Sequence, residues 1–124
     1  MLIILISSVS AHITLIRYGG AVIKPYHPDI NMSQCIEVFD AIGPEHFEGL
    51  RYIKIFPQGT RQDRDADYVL GSKGIRIYQG YCDRYTLEHE LCHYKQEQKE
   101  ELWHLIIKHS GSFNDCLAEW DIKE

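Results

Sequence analysis

The sequence predicts an α+β domain, with strands first and helices last, the helices packed on one face of a small sheet. Three observations carry that expectation. Short runs of β-branched and bulky apolar residues, bounded by Gly and Pro, fill the chain as far as Tyr78. Thr86 to Gln96 holds no Gly or Pro and several good helix formers. Beyond it, apolar residues recur at three- and four-residue spacing, as on one face of a helix.

Each element is justified by local chemistry. Leu2 to Ile6 and Ile13 to Ile16 have strand composition. Gly19-Gly20 breaks the second run, and Pro25 and Pro28 make the next stretch a turn-rich connection. Ser33 is expected to cap a short helix with Cys35, Ile36, Val38, Phe39 and Ile42 on its apolar side, stopped by Gly43-Pro44. Leu50 to Phe56 alternates like a half-buried strand and ends at Pro57-Gln58-Gly59. Gly59 to Asp67 is the most polar stretch. A solvated loop is expected there, because it lacks the glycine and terminal Glu of a calcium loop. Tyr68 to Leu70 and Ile75 to Tyr78 are expected to pair as a hairpin whose turn uses Gly71 and Gly74.

Helices take over at Tyr85. A second is expected over Glu101 to His109, with Leu102, Leu105 and Ile106 on one face and Gly111 closing it. Ser112 can cap a third, Phe113 to about Lys123, striped by Phe113, Cys116, Leu117 and Trp120. No repeat or low-complexity segment interrupts residues 1–124, which are expected to form a single domain.

Composition narrows the function. The 124 residues carry a formal net charge of -5, with 44% hydrophobic and 25% charged residues, a globular balance. No basic stripe offers counterion release, so no nucleic-acid partner is expected. The longest apolar run, Leu2 to Ile6, falls far short of the ~20 residues that span a bilayer, so no membrane partner is expected either. Val9-Ser10-Ala11 looks like a signal cleavage site, yet no Lys or Arg precedes the short apolar run, and a buried strand is the expected state. Cys35, Cys82, Cys92 and Cys116 lie far apart without a C-x-x-C pair. Reduced thiols in a cytoplasmic protein are therefore expected.

One motif rises above this background. His89-Glu90-Leu91-Cys92-His93 is an H-E-x-x-H sequence inside an expected helix. Residues i and i+4 share a helical face, so both imidazoles can meet a single zinc ion. Glu90 can then reach a zinc-bound water from the side, take its proton and later pass it to a leaving amine. From the chain's own His and Glu content, a chance match arises in roughly 3% of such sequences.

At these residues the chain resembles the zincin metallopeptidases. Thr86 to His93 is similar to their active-site helix, and Ile75 to Tyr78 resembles the strand that feeds it. The small size is similar to the minigluzincins, single-domain relatives of membrane peptidase catalytic domains. The resemblance covers roughly residues 50–124; the first 45 residues carry none of it. Tyr94 to Glu100 lacks the Gly and His of the longer metzincin motif, which sets that branch aside. The resemblance implies a zinc-dependent peptidase acting on a peptide or an exposed protein segment, with His89 and His93 as ligands and Glu90 as general base and acid.

Three residues compete as third ligand. Glu119, in Leu117-Ala118-Glu119-Trp120-Asp121, is similar to the gluzincin carboxylate and leads; Ile122 departs from the small residue of that pattern. Asp115 heads Asp115-Cys116-Leu117-Ala118-Glu119, which resembles a variant register with Glu119 as a supporting partner. His109 with Phe113 resembles the H-x-x-x-[FW] element of Spartan-type proteases. The competing class is a non-catalytic zinc-binding interaction module, a zincin relic. Tyr85 and Tyr94 flank the motif as potential hydrogen-bond donors to a tetrahedral intermediate, although ordinary amphipathic packing accounts for both. Arg76 and Tyr78 are placed at the cleft edge, where zincins hold extended substrates by strand addition. Cys92 is expected to pack the helix rather than bind metal, and His104 to lie at a surface.

Overall fold

Gly19 and Gly20 do more than end a strand. Both take positive φ, 56° and 89°, the backbone that a two-residue hairpin turn demands at both central positions. The chain therefore folds straight back, and β2 (Thr14–Tyr18) pairs antiparallel with β3 (Ala21–Pro25). Ala21–Pro25 is thus a strand and not the turn-rich connection expected. Its proline is tolerated because it closes the strand.

This computed structural model describes residues 2–5, 14–99, 114 and 116–118. It contains a six-stranded mixed sheet. β1 (Leu2–Leu5) lies antiparallel beside β2, and β3 pairs in parallel with β4 (Tyr52–Ile55). β4 pairs in parallel with β6 (Gly74–Ile77), and β5 (Ala66–Val69) is antiparallel to β6, giving the order β1-β2-β3-β4-β6-β5. The expected hairpin is present as β5–β6. Parallel neighbours need a crossover, and α1 (Met32–Ile42) supplies it between β3 and β4. α2 (Arg84–Lys99) comes after β6. The α+β class stands.

Register builds the core. Ile16, Ile23, Ile53 and Ile75 fall in one cross-strand row, with Ile55 beside Ile77 in the next, and all six are buried. Cys35, Phe39 and Ile42 of α1, Phe47 of a short 3₁₀ turn (Pro44–Phe47), and Leu87 and Leu91 of α2 complete this core. Each such apolar side chain contributes about 1.5–3 kcal/mol when fully buried. The opposite face carries Lys24, Lys54 and Arg76 in one row that ends on Asp67. Just past the ends of β3, β4 and β6, Tyr26, Phe56 and Tyr78 stack, with ring centroids 4.4 and 5.5 Å apart. The Tyr52 ring lies across Gly74, in the space a Cβ there would need.

Several local details differ from expectation. Asn31, not Ser33, caps α1: its side-chain oxygen accepts the Gln34 N–H at 3.0 Å, which fixes the first helical turn one residue ahead of Ser33. Gly43 ends the helix as expected, with φ 115° and its N–H on the Phe39 carbonyl. Asp83 caps α2, accepting from the Thr86 N–H and hydroxyl. The four cysteines, expected as reduced thiols, are bonded as Cys35–Cys82 and Cys92–Cys116. Folding brings together residues 47 and 24 positions apart in sequence, a closeness that spacing does not reveal. Gln34 reinforces the first pair, accepting from the Cys82 N–H and donating to its carbonyl.

Asn114 and residues 116–118 are helical, within the span expected for the third helix. The expected Glu101–His109 helix and its His104, and the Ser112 cap, lie outside the described residues. Among the described residues no helix is long and apolar enough to cross a membrane.

Candidate active site

α2 is fastened to the sheet near its C-terminal end. Within the helix itself, near its start, Arg84 reaches the buried Glu88 carboxylate at 3.1 Å, one turn on. Near its end, Glu97 takes the Gly71 N–H at 2.8 Å and the Tyr68 hydroxyl, fastening the helix to the β5–β6 hairpin. On its far side the Tyr94 hydroxyl donates to the Glu48 carbonyl at 2.7 Å. Burial, with the Glu97 carboxylate second, raises the Tyr68 phenol above its ordinary pKa, so it is a neutral donor at physiological pH.

Between α2 and β5 runs a cleft of about 360 Å³. His89, Glu90, His93 and Gln96 line it from the helix, and Ala66, Tyr68 and Leu70 from the opposite strand and turn. The His89 and His93 rings stand edge to face, 5.1 Å between centroids, as i and i+4 spacing demands. Glu90 is 7% exposed and lines the same cleft. Gln96, 2% exposed, places its Oε1 3.2 Å from His93 Nδ1. A carboxamide oxygen calls for a proton on Nδ1, and that tautomer puts the ring's lone pair on Nε2.

The polar loop forms the remaining wall, through Asp63, Arg64 and Asp67. Arg76 grips Asp67 with Nε at 2.8 Å and Nη2 at 2.9 Å, and the Tyr78 hydroxyl joins at 3.1 Å. Arg64 and Arg61 stand 3.6 and 3.9 Å from the same carboxylate. Arg61 also pairs doubly with Asp63, whose pKa its hydrogen bond holds below the usual carboxylate range. The loop is exposed, as expected, but ordered by this network.

The helical spacing expects His89, Glu90 and His93 together, and all three line the cleft from α2. The cleft edge differs from expectation: Arg76 lies on β6 and Tyr78 directly follows it, and neither lines the cleft, whose facing strand is β5. Tyr94 is turned to Glu48, so it packs rather than serving the cleft. Tyr85 stays near, its ring 6.3 Å from His89. Cys92 is fully buried and bonded, which removes it from any ligand set. Gln96 was missed although its signal was present, three residues after His93 on the same face. Tyr68 has no signal in the sequence, because only the sheet order places it opposite α2.

Two imidazoles and an adjoining carboxylate have the donor chemistry that zinc takes. Glu119, Asp115 and His109 lie outside the described residues. Among the described residues no group of three His, Cys, Asp or Glu is placed to hold a metal ion. No family model, no curated protein and no solved structure matches the chain.

Proposed function

We propose that this protein is a zinc-dependent peptidase of gluzincin type. The observation that carries the reading is that His89, Glu90 and His93 line one cleft from one helix, facing the outermost strand of the sheet. His89 and His93 would hold the ion, and Gln96 orients His93. Glu119 is the leading third ligand, with His109 and Asp115 as its rivals. Zinc, when bound, supplies a water of lowered pKa and polarises the scissile carbonyl.

The chain's own groups do the rest. The Glu90 carboxylate takes the attacking water's proton and returns it to the leaving amine. Its burial in the cleft wall keeps that proton from bulk water. The substrate is a peptide or exposed protein segment laid along β5, whose outer edge can accept one more strand. Location is read from the cysteines: bonded pairs persist in an oxidising compartment, and a cytoplasmic copy would hold them as thiols.

The test separates enzyme from interaction module. Purified protein should take up about one zinc per chain and hydrolyse unfolded casein. Glu90→Gln should keep the metal and the fold and lose ~10²–10⁴-fold in rate. Activity that survives this substitution refutes the mechanism. Zinc uptake without hydrolysis overturns the peptidase in favour of a zinc-stabilised interaction module.

A further inference from the structure

The charges of this chain are unevenly placed. Residues 25–50, which run through α1 and the 3₁₀ turn, hold Asp29, Glu37, Asp40, Glu45 and Glu48 and no Lys or Arg. Strands β2, β3, β4 and β6 hold Arg17, Lys24, Lys54 and Arg76 and no Asp or Glu. Strand alternation turns all four cations away from α1 and α2, because their neighbours Ile16, Ile23, Ile53 and Ile75 fill the core. Register sets Lys24, Lys54 and Arg76 side by side, a basic row that the linear order does not display. Asp67 neutralises Arg76, whereas among the described residues Arg17, Lys24 and Lys54 have no carboxylate within ion-pair distance. Aromatic rings flank the row on both sides: Tyr52 on one, Tyr26, Phe56 and Tyr78 on the other. Tyr26, Tyr52 and Phe56 are half-buried. Arg61 and Arg76 cover the Tyr78 end of the ring column, 5.5 and 5.9 Å from its centroid. At the Tyr26 end the covering group is the Lys24 ammonium, 4.9 Å from the centroid on a flexible stem.

We propose that this face binds single-stranded nucleic acid, with Arg17, Lys24 and Lys54 on phosphates and one base stacked on Tyr26. It is a second site, on the side of the sheet away from α2 and its cleft, and it does not rest on the peptidase reading. Lys24 and Lys54 stand one strand spacing apart, about 4.8 Å, and repel each other until an anion of repeated charge lies over them. Rows of cations between rows of rings suit a polyanion that also carries flat apolar groups. An acidic peptide would use the lysines and leave the rings idle. An open sheet suits a single strand, whose bases splay out, whereas a duplex groove calls for a protruding helix or ribbon. When a base arrives, the Lys24 ammonium leaves the ring for a phosphate, and the base extends the column of Tyr26, Phe56 and Tyr78. The acidity of the whole chain does not oppose this. The α1 carboxylates lie on the helix side of the sheet, and salt screens charges beyond about 8–10 Å.

The experiment is a fluorescence anisotropy titration of labelled oligothymidylate, about 12 nucleotides long, with the full chain. A duplex of the same length and a polyglutamate peptide serve as competitors, and circular dichroism confirms the fold of each variant. Each phosphate contact to a single strand contributes about -0.7 to the slope of log affinity against log salt. Three contacts therefore predict about twentyfold weaker binding when salt is raised fourfold. Lys24→Gln/Lys54→Gln should weaken binding by about tenfold or more and cut that salt effect to about threefold. Tyr26→Ala should cost about fivefold or more with the salt effect unchanged, and Tyr26→Phe should bind like wild type. Absence of binding at low salt overturns the proposal. So does competition by duplex or polyglutamate as strong as that of unlabelled oligothymidylate, because the face would then read charge alone. Unchanged affinity in the folded lysine variant places binding elsewhere and overturns it too. Zinc uptake and casein hydrolysis do not enter these readouts, so this proposal and the peptidase reading can fail separately.

Discussion

Replacing Gln96 with Leu removes the acceptor at His93 Nδ1 while keeping most of the side-chain volume. The hydrogen bond is 3.2 Å long, at the upper end of the N–H···O range, and part-buried. A neutral bond of that kind contributes about 0.5–1.5 kcal/mol net to the fold, and its length points to the lower half. Its effect on metal should be larger. Outer-shell partners of ligating histidines are worth ~10–100-fold in affinity, and the long bond places Gln96 near tenfold, or about 1.4 kcal/mol. The assay is a zinc competition titration on oxidised protein at fixed pH, with urea unfolding of the metal-free form alongside. Gln96→Glu keeps an acceptor, adds charge and should bind zinc at least as tightly as wild type. If Gln96→Leu binds zinc within twofold of wild type, Gln96 does not orient His93 and the tautomer assignment falls.

Two further outcomes concern the fold. Gly74→Ala should destabilise by ~1–3 kcal/mol in urea unfolding, because the Tyr52 ring fills the space its Cβ needs; an unchanged midpoint would show that the ring moves freely. Burial first, then carboxylate neighbours, raises the phenols of Tyr18 and Tyr68 above their ordinary pKa, and burial also raises those of Tyr78 and Tyr94. A raised native pKa gives stability that is full below the unfolded value near ~10 and is lost as pH rises past it. The urea midpoint should therefore fall above pH ~10, less steeply in Tyr68→Phe, and a flat profile would refute the burial argument.

Local chemistry was enough where neighbours in sequence decide the outcome. Gly43-Pro44 ends α1 as read, Gly71 to Gly74 turns the β5–β6 hairpin, and the H-E-x-x-H spacing alone puts two imidazoles on one face. Non-local pairing decided the rest. Ala21–Pro25 looked like a connection because its strand character comes from β2 on one side and β4 on the other. Asn31 and Ser33 were equivalent cap chemistries, and only the backbone path into the helix chose between them. The wall facing the histidines was hidden, since β5 becomes the outer strand only when β4 pairs with β6 across it in sequence.

Considered as a covalent graph, the chain is two closed rings joined by a short bridge. Residues 35–82 form one ring and 92–116 the other, and the segment between them holds His89 and Glu90. The exposed loop that walls the cleft belongs to the first ring. A protease that cut that loop would open the ring without releasing a fragment. The nicked chain would migrate as one species until a thiol was added, and Gln34 would still hold α1 to Cys82. Only a cut in the bridge, within α2 and its cap, would separate the first ring from the second. The proposed peptidase would thus carry the exposed loop at its cleft inside a covalent ring whose two halves stay joined after that loop is cut.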